Sequence, residues 1–465
     1  MSKVELLEPF LEEGIRNTNF FNGRLLTAEA LRGEQDANRL HHGQLGQTIG
    51  EGIAFGLEVA KKGISSPADA SFRMLTVSAG QAVNRCGDVL SLPAPVDVAL
   101  IRETEVVAEE AGWFAPCEPP QASALLQGKG AYLLLISPAS GFDGRVPVSG
   151  LRESGTGPAC CGRRDVIEGV QFRLVEMKIS NLKGGSDAAR DQVIQLMERD
   201  DYASLSRLRN QLAHLCFGTE GRKNFVVDPF GAGEKAIPPG AVEELRSSQD
   251  LTDCDVPLAL VYWTRNGIEF IDMWSVRREI APKPASLAWQ VFSGRRLAEA
   301  EAVFLQFQEQ VEWLTGSGNS QADLSRIEAA SWFRYLPAAG VLPVTAGSVV
   351  TYMQGCGATT FKTGAKSPAI EAAAFFKGLT CGEAAFVEGA KIGHLLSDSF
   401  SYPAIDLDSP DKEMIRQYFV RENIEALVKP SPPQPYLVFT NGHMPYHGNA
   451  RFDLARWDYS NYAFV

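Results

Sequence analysis

The chain has 465 residues, 45% hydrophobic and 22% charged, with a formal net charge of -12; at roughly 100 to 200 residues per domain this predicts about three units. The acidic balance argues against non-specific binding to a nucleic-acid backbone, which needs clustered Lys and Arg. The opening Met1-Ser2-Lys3-Val4-Glu5 lacks a basic segment leading into an apolar run, no stretch approaches the roughly 18 apolar residues of a membrane span, and eight scattered cysteines are too few for a disulfide scaffold, so the expectation is a chain made in the cytoplasm with mostly reduced, buried thiols.

The first recognisable element is the turn Asn19-Phe20-Phe21-Asn22-Gly23-Arg24, after which Thr27 stands at a helix N-cap position and a helix is expected from Ala28 to about Thr48. Gly50 to Val59 reads as a glycine-rich turn into a strand, and Phe72–Val77, Gln81–Arg85 and Asp88–Leu92 read as short antiparallel strands with Gly80 and Gly87 at the turns. Ala131 to Ile136 is apolar enough for a central strand, whereas Gln171 to Ile179 alternates as an outer strand does.

From Asp187 to Leu215, Val193, Leu196, Met197, Leu205, Leu208, Leu212 and Leu215 recur at helical spacing, which predicts an inserted helical hairpin. Pro257–Trp263 and Ile268–Trp274 flank Asn266-Gly267, the strongest short hairpin signal. Pro282 and Pro284 mark a linker, followed by a long helix over Ser286–Leu314 and further helices over Cys381–Leu396 and Asp411–Tyr418. The fold class expected is α+β and multi-domain. Residues 1–100 form a helix plus a small β module, residues 101–283 a β-rich domain with a helical insertion near 186–216, and residues 284–465 a mixed C-terminal domain.

Catalytic and metal signatures are weak. Cys160 and Cys161 could join Cys117 or Cys254 in a thiolate metal site, but zinc ligands are typically separated by two to four residues, so adjacent cysteines fit poorly. His443 and His447 are separated by Pro445, which breaks any helix that would align them. Gly316–Ser320 lacks the strand that precedes a nucleophile elbow, and Gly355–Thr360 lacks the Lys-Ser/Thr step of a phosphate loop. Asp406 with Asp408, or Glu51 with Glu58, could supply the two acids of glycoside hydrolysis, although sequence cannot give their separation. Arg163-Arg164 and Arg277-Arg278, flanked by Asp165, Glu168, Asp272 and Glu279, read as local ion pairing. No catalytic, cofactor or metal residue is assigned.

Several stretches together resemble proteins encoded beside phage-tail-like contractile injection systems. They are Asn19 to Leu31 with Glu34-Gln35 and His42, Gly52 to Val59, Val77 to Gly87, Cys161 with Arg163 to Arg173, Cys254 to Ala259 with Asp272 and Val276 to Arg278, and Ala450 to Arg456. The resemblance implies a structural accessory of such a particle, baseplate-proximal or fibre-like. It further implies assembly in the cytoplasm, a place in a released or membrane-docked particle, and other particle subunits as partners.

A building block needs anchors more than reactive groups, and aromatics are favoured at interface centres. The aromatic edges Phe20-Phe21, Trp332-Phe333-Tyr335 and Trp457, Tyr459 and Tyr462 are therefore candidates, with homo-oligomerisation expected. A particle-borne hydrolase of cell-wall glycan and a metal-stabilised binding protein are the alternatives.

Overall fold

The computed structural model describes residues 14–62, 74–100, 129–147, 161–182, 186–219, 240–264, 266–281, 294–316, 327–345, 347–349, 369–382, 384–409 and 414–444. Its helices and strands build a mixed α+β, multi-domain protein.

Ala131-Tyr132-Leu133-Leu134-Leu135-Ile136 contains no charged residue because both faces of its strand are buried. It lies in β7 (Gly130–Pro147), the inner strand of an antiparallel four-stranded sheet ordered β10-β9-β7-β8, where β8 is Cys161–Glu176, β9 is Val256–Thr264 and β10 is Gly267–Asp272. Side chains alternate across a pleated strand. Ala131, Leu133 and Leu135 therefore join Leu260, Tyr262 and Phe270 under a layer of helices. Tyr132, Leu134 and Ile136 turn to the other face and pack with Val261 and Trp263. Each buried apolar side chain of this size contributes about 1.5–3 kcal/mol relative to leaving it exposed.

The helical layer is α2 (Asp187–Met197), α3 (Tyr202–Phe217) and α4 (Ala241–Ser247), so the expected helical hairpin is present. Ser186 and Asp201 cap α2 and α3, their side chains accepting from Ala189 N–H (3.2 Å) and Ser204 N–H (2.9 Å). The opposite face is covered by two small antiparallel sheets. One is ordered β1-β4-β5 (Gly52–Gly56, Gly80–Val83, Val89–Leu92), and the other β2-β3-β6 (Val59–Lys61, Met74–Val77, Val96–Ala99). Their Ile53, Leu57, Leu75, Val77 and Leu90 share one core with the central sheet.

Beyond Ile136, β9 no longer pairs with β7, but β8 continues to do so out to Pro147 opposite Cys161. The outer part of the hairpin is a two-stranded ribbon, and every residue from Arg163 to Gly169 is exposed. The expected outer strand at Gln171–Ile179 is thus only the inner end of β8, which stops at Glu176 before a 3-10 turn over Ile179–Asn181. The β9–β10 hairpin pairs Gly267 with Thr264, so Asn266-Gly267 stands at the exit of the turn, Gly267 taking φ 108°.

The C-terminal body, which includes the paired short strands β11 (Tyr335–Leu336) and β14 (Ile405–Asp406), repeats the two-sided burial. β13 (Ala385–Val387) lies parallel to β15 (Ile415–Val420), joined across α6 (Gly389–Ser399), in the sheet β12-β16-β15-β13, with β12 at Ala339–Pro343 and β16 at Tyr436–Asn441. Ile415, Phe419, Leu437 and Phe439 face Phe307, Val311 and Leu314 of α5 (Gly294–Thr315). Tyr418, Val420 and Val438 face Leu395 of α6.

Two expected helices are corrected here. Cys381–Leu396 is a bridge, the strand β13 and then α6, and of Asp411–Tyr418 the residues from Ile415 lie in the strand β15, while 411–413 are outside the described residues. In both, β-branched and aromatic residues fit a sheet buried on two faces, and that tertiary burial outweighs the local helical pattern. The expected linker and the start of the long helix, 282–293, lie outside the described residues, as do Gly355–Thr360 and most of Gly316–Ser320.

Candidate assembly surface

The segment before α1 (Ala28–Ile49) is held by few polar contacts. Arg24 N–H donates to Phe21 O at 3.2 Å across a turn in which Gly23 takes φ 91°, as the third position of a type II turn requires. Thr18 Oγ1 donates to Ala30 O (3.0 Å) and Thr18 N–H to Glu34 Oε2 (3.2 Å), tying the arm to the first turns of α1. Thr27 is the N-cap as expected, accepting from Ala30 N–H at 3.2 Å.

This helix docks through backbone and small side chains. Only Ala37 and Gly46 are buried along its 22 residues. A Cβ on Gly46 would stand 2.1 Å from the Gly87 carbonyl oxygen, so the helix rests directly on the β4–β5 turn, where Gln47 Nε2 also donates to Cys86 O at 3.2 Å. Leu31, Leu40, Leu45 and Ile49 remain exposed, and Leu31, Leu45 and Ile49 share one side of the helix by its 3.6-residue period. With Phe20 (54% exposed), Phe21 (64%) and Leu25 (85%), they concentrate large apolar side chains in one stretch of chain. The candidates Phe20 and Phe21 thus lie at the surface. Trp457, Tyr459 and Tyr462 lie outside the described residues. Phe333 and Tyr335 are buried, so Trp332-Phe333-Tyr335 is a core cluster rather than an interface edge, with Trp332 stacked edge-on against Tyr202.

A cleft opens between the start of β1, α4 and the chain leading out of β10. Arg85 spans it, its Nη2 reaching Glu51 Oε1 at 3.0 Å and, on the other side, the Glu243 carboxylate. Burial opposes the charge on Arg85, but hydrogen bonds to Glu51 and Glu243 hold its pKa above the ordinary value. Arg246, whose pKa is lowered by burial and then by Arg85, donates to the carbonyls of Thr252 (2.6 Å) and Asp255 (3.0 Å). Beneath it, Asp255 accepts from Arg173 (2.6 Å), Thr252 N–H (2.7 Å) and Ser137. Glu51 and Glu243 share one guanidinium and clamp the edge of β1 to α4. Glu58, its expected partner, is not among the residues lining the cleft.

The other paired acids are also engaged. Arg207 donates to Asp408 at 2.6 Å, and Arg334 lies 3.8 Å from both Asp406 and Asp408. Burial raises the Asp408 pKa, but its bonds from Arg207 prevail and hold it below the usual carboxylate range. Arg277, expected to pair with neighbouring acids, instead donates to the carbonyls of Leu57 (3.0 Å) and Gly56 (2.6 Å), fastening β10's exit to β1. Arg164 does pair with Asp165, at 2.8 Å.

Among the described residues no group of three or more His, Cys, Asp or Glu is placed to hold a metal. Cys117, Cys160 and His447 lie outside those residues, as does the Cys161 side chain. Cys254 is disulfide-bonded, with Cys86 Sγ 3.8 Å from its sulfur, while Cys86, Cys216 and Cys381 form no disulfide. No described helix is long and apolar enough to cross a membrane. No family model matches the chain, and no curated protein matches it significantly.

Proposed function

We propose that this chain is a structural or adaptor subunit of a phage-tail-like contractile injection particle, which holds its neighbours through the arm at Phe20–Leu26 and the exposed side of α1. The observation carrying this reading is the concentration of large apolar side chains on that segment. Isolated exposed apolar residues are ordinary, whereas a concentrated group marks a contact surface. Phe20, Phe21, Leu25 and Leu31 belong to the Asn19–Leu31 stretch that resembles proteins of such systems, and their side chains face water rather than a core. An anchoring role also suits a cleft whose acids are bridged by arginine.

The test is affinity capture from the native cells with identification of co-purifying chains. Wild-type protein brings down tube and sheath proteins, and Leu31→Asp/Leu45→Asp, which alters only exposed positions, loses them while keeping its thermal transition. A chain that is always recovered without particle proteins would refute the proposal.

A further inference from the structure

A β-ribbon in water carries two unpaired rows of backbone N–H and C=O groups, and natural proteins blunt such edges with proline, kinks or bulges. The outer part of β7 is blunted in this way. Pro138 and Pro147 have no N–H, and between them Gly144 takes φ 65°. From Gly162 to Phe172 β8 has no proline and no left-handed residue, and the charged side chains on it, Arg163, Arg164, Asp165 and Glu168, are of both signs, so they can be satisfied by a partner strand as well as by water. β8 is the terminal strand of its sheet, and among the described residues no strand pairs with its outer edge.

We infer that β8 pairs antiparallel with β8 of a second copy of this chain, about a two-fold axis at Val166. This rests on the assembly reading above and names one partner in it. Directly opposed residues of a pleated sheet point to the same face. A two-fold axis normal to the sheet must therefore bring one residue opposite its own counterpart, and the sequence decides which.

Centring on Arg163, Arg164, Asp165 or Glu168 sets like charges against each other, which destabilises a cross-strand pair. Centring on Ile167 leaves Arg164 opposite Val170 and Glu168 opposite Val166. Centring on Val166 places Arg164 opposite Glu168 twice, once on each side of the axis, and Val166 opposite its counterpart.

In the ribbon Phe142 is directly opposite Val166. The joined sheet therefore carries an apolar row of Phe142, the two copies of Val166 and the second Phe142 across one face. The surroundings leave space, since a Cβ added at Gly141 or Gly169 would meet nothing within 4 Å. The contact of Arg164 with Asp165 (2.8 Å) is an exposed pair of little strength, and Glu168, itself exposed, lies 3.8 Å from the half-buried Arg39.

The experiment is light scattering on the full-length protein over a hundredfold dilution series, with capture of particle proteins measured on the same samples. Wild type is expected at twice 50.5 kDa. Glu168→Arg and Arg164→Glu, each setting like charges opposite one another, are expected to weaken the dimer at least tenfold. The double reversal Arg164→Glu/Glu168→Arg is expected to restore it. Because all these side chains are exposed, the three variants should keep one thermal transition. A monomeric wild type, a Glu168→Arg variant that dimerises normally, or a double reversal that stays monomeric overturns the pairing. A monomer that still captures tube and sheath proteins overturns the pairing alone, whereas a charge-reversible dimer that captures neither overturns only the assembly reading.

Discussion

Asp272 sits where three elements meet, and replacing it tests how the two bodies of the chain are joined. Its carboxylate is fully buried and accepts from Arg209 Nε (2.7 Å), Gln306 Nε2 (2.9 Å), and the N–H (2.9 Å) and hydroxyl of Ser275. The Arg209 side chain is only 2% exposed and reaches on to Glu309 at 2.7 Å. In Asp272→Ala the guanidinium keeps one partner and three other donors lose their acceptor. Removing one member of a buried ion pair typically costs about 3–5 kcal/mol. Urea unfolding followed by tryptophan fluorescence reads this directly, because Trp313 lies against Arg209, 5.7 Å from its centre. The midpoint should fall by an amount corresponding to that cost, and Arg209→Met/Asp272→Leu should lose less than Asp272→Ala, having no buried guanidinium left short of a partner. A control at the exposed Lys62–Asp97 pair, Asp97→Asn, should leave the midpoint close to that of wild type. If Asp272→Ala is no more destabilised than that control, the network is not what holds α3 to α5, and the reasoning fails.

Glu309 supplies a pH test of the same junction. Burial, then the nearby Asp272, raises its carboxyl from 4.5 to about 7, so the folded state holds this proton more tightly than the unfolded chain. Its contribution is therefore favourable at low pH and is lost as pH rises between 4.5 and about 7. Glu309→Gln should flatten the difference in melting temperature across that window, and an unchanged slope would contradict the assignment. Gly46→Ala places a methyl group against the Gly87 carbonyl. Amide exchange along α1 should speed up by tenfold or more while exchange in β7 and β9 is unchanged; full retention of α1 protection would show that the close backbone contact is not what docks the helix.

Much of the fold was legible where one local signal sufficed. Thr27 marked the start of α1, the spacing from Val193 to Leu215 gave α2 and α3, and the uninterrupted apolar run Ala131–Ile136 announced a strand covered on both faces. Reading failed where a segment takes its conformation from distant partners. Ile415–Val420 is a strand because β13 and β16 flank it, and Phe333 and Tyr335 looked like surface aromatics until α3 and α5 packed over them. The outer ribbon was missed because Arg163 to Gly169, exposed on both faces, carries no buried alternation to read. The clamp Glu51–Arg85–Glu243 joins residues 34 and 158 positions apart, a separation at which spacing carries no information. Only the arm at Phe20–Phe21 could be suspected from composition.

Helix α3 has a second role that follows from the order in which a ribosome releases the chain. One side of it closes the central sheet, while Arg207, Arg209 and Asn210 reach forward to Asp408, Glu309 and Tyr335, residues made 100 or more positions later. The earlier domain therefore presents a finished row of polar hooks on which the later one is laid down. A chain interrupted after residue 281 would leave those hooks in water, where they tolerate hydration far better than an apolar face does, so the half-made protein is spared an adhesive surface while it waits for its second half.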